Sequence, residues 1–286
     1  MDIIPSYNCN LDCPFCIVHR HNNGDLLDLD WLEENIKTVP HNYVTILGGE
    51  LSLLPNDYMK RLIEIGKAHA CDSKVTMYTN LVKVSPFIDS VDVIVSYDPM
   101  VRQLQNKVLQ NMLLLERPFK INMLATKHVV SLGVEWLLKL FKKIKQLKKI
   151  SISTLTLFPG CPDLRPDPMD LANFCCDIIK AKTNKIRFYP VSTWTENYVK
   201  QMAPEETIEI LPNKKFRISL RDFVGAKELD TYEQCVEYYK KELSSGEPCC
   251  QECPYFGRCT HMYTDNRRCH ADRMITEAIL SELKKG

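Results

Sequence analysis

The chain has 286 residues, of which 45% are hydrophobic and 26% are charged, and this balance is typical of an ordinary globular protein. Its 37 Lys and Arg residues almost equal its 36 Asp and Glu residues, so the formal net charge is only +1. This balance excludes a broadly basic surface of the kind that binds nucleic acid along its whole length.

Short apolar runs alternate with longer helical patterns over the first two thirds of the chain. The runs predict strands near Asp2–Tyr7, Tyr43–Leu47, Lys74–Thr79, Val91–Ser96, Phe119–Ala125 and Lys149–Leu155. The patterns predict helices over Asp30–Thr38, Asn56–Ala70, Arg102–Leu115, Val130–Leu147 and Asp167–Ala181. The first of these helices starts with an Asp30-to-Glu33 spacing that is typical of a capping box.

Repeating β-α units of this kind predict a parallel sheet with right-handed crossovers. A complete (β/α)8 barrel takes about 250 residues, so six units take roughly 190, and the pattern fades near Tyr189. We therefore predict an α/β fold in which residues 1–190 form an open six-unit (β/α)6 partial TIM barrel. A doubly wound open sheet is the alternative.

The predicted strands end in polar residues, and the carboxyl ends of barrel strands carry the functional face. The first strand is followed by a loop that contains Cys9, Cys13 and Cys16, here called the cysteine loop. The next four strands are followed by Gly48–Glu50, Thr79–Asn80, Ser96–Asp98 and Thr126–Lys127. Five polar ends on one rim predict a binding or catalytic site.

Residues 191–286 predict a second, smaller domain that is rich in cysteine. Alternating residues around Pro212-Asn213 indicate a β-hairpin over Thr207–Ile218. Helical patterns cover Tyr232–Leu243 and Ala271–Lys284.

Thirteen cysteines are unusual, and their distribution indicates metal binding. The count is odd and the N-terminus lacks a secretory signal, which argues against disulfides and favours a reducing, cytoplasmic location. Most of the cysteines form one group at each end of the chain, whereas cysteines used as small buried side chains would be scattered. No uncharged run reaches the roughly 18 residues of a membrane span, so we expect no membrane partner.

The N-terminal group is Cys9, Cys13 and Cys16, a CxxxCxxC spacing on one short loop. Three thiolates can hold three irons of a [4Fe–4S] cluster and leave the fourth iron open for a ligand. A zinc site completed by His19 or His21 is the alternative.

This loop, with Phe15 before its last cysteine and Gly48-Gly49-Glu50 one β-α unit later, resembles the radical S-adenosylmethionine (SAM) enzymes. The resemblance implies that the three cysteines hold the cluster that cleaves SAM to a 5′-deoxyadenosyl radical, which then abstracts a hydrogen atom from the substrate. The residues that it places around SAM are Phe15, Gly48, Gly49, Glu50, Asn80, Ser96 and Asp98. The last three are assigned by strand position alone. Phe15 is expected beside the adenine and Glu50 beside the SAM amino group.

The C-terminal group is similar to the SPASM or "twitch" extension of the same superfamily. This second resemblance implies one auxiliary [4Fe–4S] cluster with the ligands Cys250, Cys253, Cys259 and Cys269. Tyr263 stands where a further cysteine is usual in SPASM sequences. Cys249 or, with weaker support, Cys235 are alternative ligands, and a structural zinc ribbon is the alternative site.

The substrate is not specified by a motif. A single auxiliary cluster and the short segment before Cys9 favour a small polar substrate, which would be an amino acid, a sugar, or a nucleoside or nucleotide. The product would arise by oxidation or rearrangement, with flavodoxin or ferredoxin as the reductant. Alternatives are a peptide-modifying maturase, an enzyme that modifies a base in DNA or RNA through the lysine-rich segment 139–149, and a non-catalytic iron–sulfur or zinc protein. Cys161, after the sixth strand, is a further candidate to face the substrate.

Overall fold

The computed structural model describes residues 1–16, 25–153, 161–188, 191–192, 208–218, 227–244 and 269–285. In chain order the elements are β1 (Asp2–Ile3), α1 (Leu29–Asn35), β2 (Val44–Ile46), α2 (Asn56–His69), β3 (Val75–Thr79), β4 (Asp92–Ser96), α3 (Gln105–Leu114), β5 (Phe119–Leu124), α4 (Lys127–Lys143), β6 (Leu147–Ser153), α5 (Pro168–Lys180), β7 (Ile186–Phe188), β8 (Ile208–Ile210), β9 (Phe216–Ile218), α6 (Tyr232–Ser244) and α7 (Cys269–Leu283).

The chain divides into two compact units by its internal contacts. The first unit consists of Met1–Asp12, Cys16–Ile94 and Gln201–Glu252. The second consists of Cys13–Phe15, Val95–Lys200 and Cys253–Gly286. Strand β4 contains a boundary between the two, because Ile94 belongs to the first unit and Val95 to the second.

The sheet of the first unit has the order β3-β2-β1-β8-β9. Strands β1, β2, β3 and β8 are parallel, and β9 returns antiparallel to β8 with Ile208 opposite Ile218. The predicted β-hairpin is therefore confirmed, and β8 hydrogen-bonds directly to β1. Phe216 of β9 packs against Trp31 of α1, with ring centroids 5.8 Å apart.

The second unit has parallel neighbours β5, β6 and β7. Strand β7 was not predicted, since it contains only three residues. Helix α5 packs against α4 and α7, and its Phe174 meets Phe188 of β7 edge-on at 5.9 Å. Asp167 caps α5, because its carboxylate accepts from the backbone N–H of Met169.

Several predicted helix ends shift in the structure because the caps lie elsewhere. Helix α1 is capped by Asp28, whose carboxylate accepts from the backbone N–H groups of Asp30 and Trp31, so the predicted capping box at Asp30 is wrong. Helix α3 begins at Gln105 and not at Arg102, and α4 begins three residues earlier than predicted, after the cap Thr126.

The predicted fold class is confirmed as an open, mostly parallel α/β sheet of the partial TIM barrel type. Sheet neighbours within each unit follow chain order, as in β1-β2-β3 and β5-β6-β7, whereas a doubly wound sheet reverses its order at a switch point. Among the helices that the structure describes, none is long and apolar enough to cross a membrane.

Candidate active site

The cysteine loop follows β1 and is anchored by alternate side chains. Leu11, Cys13 and Phe15 are only 2%, 4% and 5% exposed, whereas Cys9 and Cys16 are half-buried. The loop therefore fixes its backbone with apolar contacts and leaves two of its three thiols partly accessible.

Two glycines after β2 allow that chain segment to lie directly against the segment that leads to Cys9. The N–H of Gly49 donates to the carbonyl of Ser6 at 2.8 Å, and a Cβ on Gly49 would lie only 2.0 Å from the carbonyl oxygen of Asn8. Gly48 has a φ of +137°, which L side chains rarely adopt. Both positions therefore require glycine for the close approach of two backbones.

Glu50 joins the end of β2 to the end of β3. Its side chain is buried, and one carboxylate oxygen accepts from the N–H of Ser52 at 3.0 Å and from the hydroxyl of Thr79 at 2.8 Å. The other oxygen accepts from the N–H of Asn80 at 2.7 Å. Glu50 is thus a positioning residue for Asn80.

Asn80 extends this network to the cysteine loop. Its amide nitrogen donates to the side-chain oxygen of Asn10 at 2.7 Å and lies 3.8 Å from the sulfur of Cys9, which accepts from it. Its amide oxygen accepts from the N–H of Val82. The predicted residues Glu50, Asn80 and Cys9 are therefore connected within the first unit.

In the second unit, Asp98 follows β4 and is buried, and both oxygens of its carboxylate accept hydrogen bonds. One oxygen accepts from the N–H of Leu124 at 2.6 Å. The other accepts from two nitrogens of Arg102, Nη2 at 2.7 Å and Nε at 3.1 Å. The side chains of Asp98 and Arg102 are 2% and 12% exposed, so solvent screens this ion pair weakly.

Arg102 also contacts the cysteine loop, which sequence analysis missed. Its Nη1 donates to the sulfur of Cys13 at 3.4 Å, and its guanidinium carbon lies 5.3 Å from the centre of the Phe15 ring. A signal was available: Asp98 and Arg102 are four residues apart after a strand end, a spacing that lets opposite charges meet in a helical turn.

The other predicted positions are less connected. The thiol of Cys161 donates to the carbonyl of Pro14 at 2.7 Å, so this cysteine lies at the loop itself within the second unit. Ser96 is the last residue of β4 and is half-buried. Cys235 is fully buried in α6, where loss of water raises the pKa of its thiol to about 12, as expected for an apolar packing residue.

The predicted auxiliary site falls mostly outside the described residues. Cys269 is the first residue of α7, and the remaining predicted ligands, Cys249, Cys250, Cys253 and Cys259, lie outside the residues that the structure describes. His19 and His21, the alternative zinc ligands, lie outside them as well.

The donor set of the N-terminal loop suits an iron–sulfur cluster. Thiolates are the ligands that such clusters take, and two of the three sulfurs, on Cys9 and Cys13, already accept hydrogen bonds from side-chain N–H groups. Within the described part of the chain, no three His, Cys, Asp or Glu side chains are gathered closely enough to ligate one ion. The assignment therefore depends on the ligand chemistry of the loop and on its hydrogen-bond donors.

Comparison with known proteins agrees with this chemistry. The model of the radical SAM superfamily matches residues 3–104, which include the cysteine loop, both glycines and the Asp98–Arg102 pair. No curated protein sequence matches the chain.

Solved structures share the fold over most or all of the chain. One is native anSMEcpe with bound AdoMet and Cp18Cys peptide, with a TM-score of 0.71, 16% identity, and coverage of 100% of this chain and 98% of that chain. Streptococcus suis SuiB bound to S-adenosylmethionine has a TM-score of 0.63, 16% identity, and coverage of 91% and 72%. SuiB bound to precursor peptide SuiA has a TM-score of 0.65, 14% identity, and coverage of 91% and 70%. The family model thus identifies a radical SAM domain over residues 3–104 of this chain, and members of that superfamily are enzymes that use a [4Fe–4S] cluster and SAM.

Proposed function

We propose that this protein is a radical SAM enzyme that abstracts a hydrogen atom from a peptide substrate. The observation that carries the proposal is the CxxxCxxC loop and its hydrogen-bond donors. Asn80 donates to the sulfur of Cys9, and Arg102 donates to the sulfur of Cys13. Donors at thiolate ligands are typical of working cluster sites.

In this proposal Cys9, Cys13 and Cys16 hold the cluster. When bound, the cluster and SAM together supply a 5′-deoxyadenosyl radical. The protein contributes orientation: Gly49 holds the backbone before Cys9, while Arg102 and the burial of Phe15 hold the backbone around Cys13.

The hydrogen bonds that Glu50 and Asp98 already make limit which groups of SAM each carboxylate could bind. An ionised carboxylate accepts about four hydrogen bonds, and Glu50 and Asp98 each accept three within the protein. One further bond is open to each, which suits the SAM ammonium at Glu50. At Asp98 a ribose hydroxyl is suitable and the SAM carboxylate is not, because two carboxylates repel each other. Phe15, Gly48, Gly49, Asn80 and Ser96 remain proposed contacts.

A peptide is a better supported substrate than the small polar molecule that the sequence favoured. Two of the solved structures that share this fold contain a peptide. One is anSMEcpe, whose chain matches this one over 98% of its length, and the other is SuiB with its precursor peptide. None of the comparisons supports a small molecule. In the lysine-rich segment, Lys139, Lys142 and Lys143 are exposed on α4, Lys145 follows them and Lys148 is exposed in β6, a pattern that is usual for a solvated surface.

We further propose that residues 191–286 hold one auxiliary [4Fe–4S] cluster through Cys250, Cys253, Cys259 and Cys269. Two clusters correspond to about eight irons per chain. Cys253→Ala should lower this to about four while SAM cleavage continues.

The test is anaerobic reconstitution followed by deuterium transfer. The protein is supplied with SAM and dithionite, and parallel reactions contain a deuterated Cys-containing peptide, or a deuterated free amino acid, hexose or nucleoside. We expect 5′-deoxyadenosine that carries deuterium only in a peptide reaction. Deuterium from a small molecule alone would reject the peptide substrate, and zinc without iron, or iron without SAM cleavage, would reject the enzyme.

A further inference from the structure

We propose that Arg102 is a positioning residue that raises the reduction potential of the SAM-cleaving cluster through its hydrogen bond to Cys13. This inference rests on the proposed function, because it requires Cys13 to be a cluster ligand. It assigns to Arg102 an effect on electron acceptance, which is distinct from holding the fold together.

The geometry places a fixed cation against one particular thiol. Arg102 donates from Nη1 to the Cys13 sulfur at 3.4 Å, while Nε and Nη2 of the same guanidinium bind one oxygen of Asp98. Asp98 is itself fixed by the N–H of Leu124 at 2.6 Å. The guanidinium is therefore held from two sides and has little freedom to leave the sulfur.

The face of Phe15 restricts the guanidinium further. The Arg102 guanidinium carbon lies 5.3 Å from the ring centre, within the range of a cation–π interaction, and Phe15 is 5% exposed. Water is largely kept from this cation, whose side chain is 12% exposed. An electrostatic effect on Cys13 is correspondingly stronger than it would be at the surface.

Reduction adds one negative charge to a cluster, and a hydrogen-bond donor at a ligand sulfur stabilises that charge. Hydrogen bonds to the sulfurs are among the factors that set the potential of iron–sulfur centres. Loss of the Arg102 donor should therefore make the cluster harder to reduce. The donor at Cys9 is a neutral amide of Asn80 at 3.8 Å, so it should matter less.

Because Asp98 and Arg102 form a buried ion pair, variants that test Arg102 must not leave a single buried charge. Removing Arg102 alone would leave the buried Asp98 carboxylate without its cation, which is strongly destabilising. The double variant Arg102→Gln with Asp98→Asn removes both charges together, and Arg102→Lys keeps the charge but loses the planar fork. Arg117→Met, at an exposed arginine of the same unit, is the matched control.

The measurement is a redox titration of the reconstituted N-terminal cluster, followed by EPR, in a Cys253→Ala background that simplifies the signal. We expect the double variant to shift the midpoint to a more negative potential by about 59 mV, a tenfold smaller ratio of reduced to oxidised cluster at a given potential. The midpoint of Arg102→Lys should be intermediate, and that of Arg117→Met should match the parent.

The possible results separate this inference from the proposed function. A parent protein without a cluster that cleaves SAM would overturn both. A parent that cleaves SAM, with an unchanged midpoint in both Arg102 variants that still bind iron, would overturn this inference alone and leave Arg102 with a purely structural role. If the double variant binds no cluster, the Arg102→Lys midpoint decides the question, because an unshifted value there counts against the proposal.

Discussion

The cysteine loop is held by two different clamps, one in each unit of the chain. In the first unit, buried Glu50 gathers neutral donors and fixes Asn80, which reaches Cys9. In the second, buried Asp98 fixes a cation, Arg102, which reaches Cys13. A carboxylate that follows a strand is the base of each clamp, but only one of them brings charge to a sulfur.

Because of this difference, we expect the first clamp to position the backbone and the second to affect the reduction potential of the cluster as well. In the Glu50 clamp the groups that bind the carboxylate are neutral, and the group that reaches Cys9 is the neutral amide of Asn80. The Asp98 clamp brings a formal charge next to Cys13, and charge-assisted bonds are roughly twice as strong as neutral ones. We therefore expect changes in the first clamp to affect folding alone, and changes in the second to affect both folding and the cluster.

The largest effect is expected from removing a thiol. Cys13→Ala should abolish SAM cleavage, because the cluster would lose one of its three protein ligands. The control is Cys71→Ala, since Cys71 is exposed and lies outside the loop. Production of 5′-deoxyadenosine under anaerobic conditions measures both variants, and normal turnover in Cys13→Ala would disprove the ligand assignment.

A methyl group at Gly49 tests the backbone contact that supports the first clamp. Gly49→Ala would place Cβ 2.0 Å from a backbone oxygen, so we expect misfolding or a loss of more than about 4 kcal/mol in the free energy of unfolding. Gly133→Ala is the control: it has a positive φ of +74° but no atom within 4 Å, and should cost about 1–3 kcal/mol of backbone strain. Equal losses in urea denaturation would mean that the close approach does not matter.

The two carboxylates can be compared directly by amide substitution. Asp98→Asn removes the negative charge that binds the largely buried Arg102 and should cost about 3–5 kcal/mol. Glu50→Gln places a donor where an acceptor is needed and should cost about 1–3 kcal/mol. Urea denaturation of the cluster-free chain measures both, and a larger loss for Glu50→Gln would reverse the proposed ranking of the clamps.

A third carboxylate, Asp2 of β1, gives a prediction about the pH dependence of stability. Burial raises the pKa of Asp2 from 3.8 to about 7, against the opposing effects of the Met1 ammonium and a hydrogen bond with Thr45. The folded state thus binds more protons than the unfolded state between these values, so unfolding free energy should fall as pH rises from about 4 to 7.

Asp2→Asn isolates this effect, because an amide cannot ionise. The variant should lose that part of the pH dependence and be more stable than the parent at pH 8. Denaturation midpoints at several pH values between 4 and 8 measure it, and parallel curves for parent and variant would contradict the raised pKa of Asp2.

Much of the fold could be predicted from the sequence because periodic patterns repeat. The apolar runs before Gly48 and Thr79 mark parallel strands, and their order in the sheet follows from chain order. Strand β7 was missed because three residues, Ile186–Phe188, give no periodic signal. The hairpin was predicted, but its pairing with β1 depends on long-range contacts that local patterns do not specify.

The candidate cluster ligands could be predicted because they lie close together in the sequence. Cys9, Cys13 and Cys16 are recognisable because three thiols on one loop have few other uses. Arg102 was missed because its spacing from Asp98 indicates only an ion pair, whereas its contact with Cys13 depends on the folded path of the loop, which no local pattern shows.

The most direct test of the central claim is EPR of the reduced Cys253→Ala protein, recorded with and without SAM. If the N-terminal loop holds a [4Fe–4S] cluster through three cysteines, addition of SAM should change the spectrum, because SAM binds at the open iron. A spectrum that is unchanged by SAM, or a reconstituted protein without iron in this loop, would contradict the account.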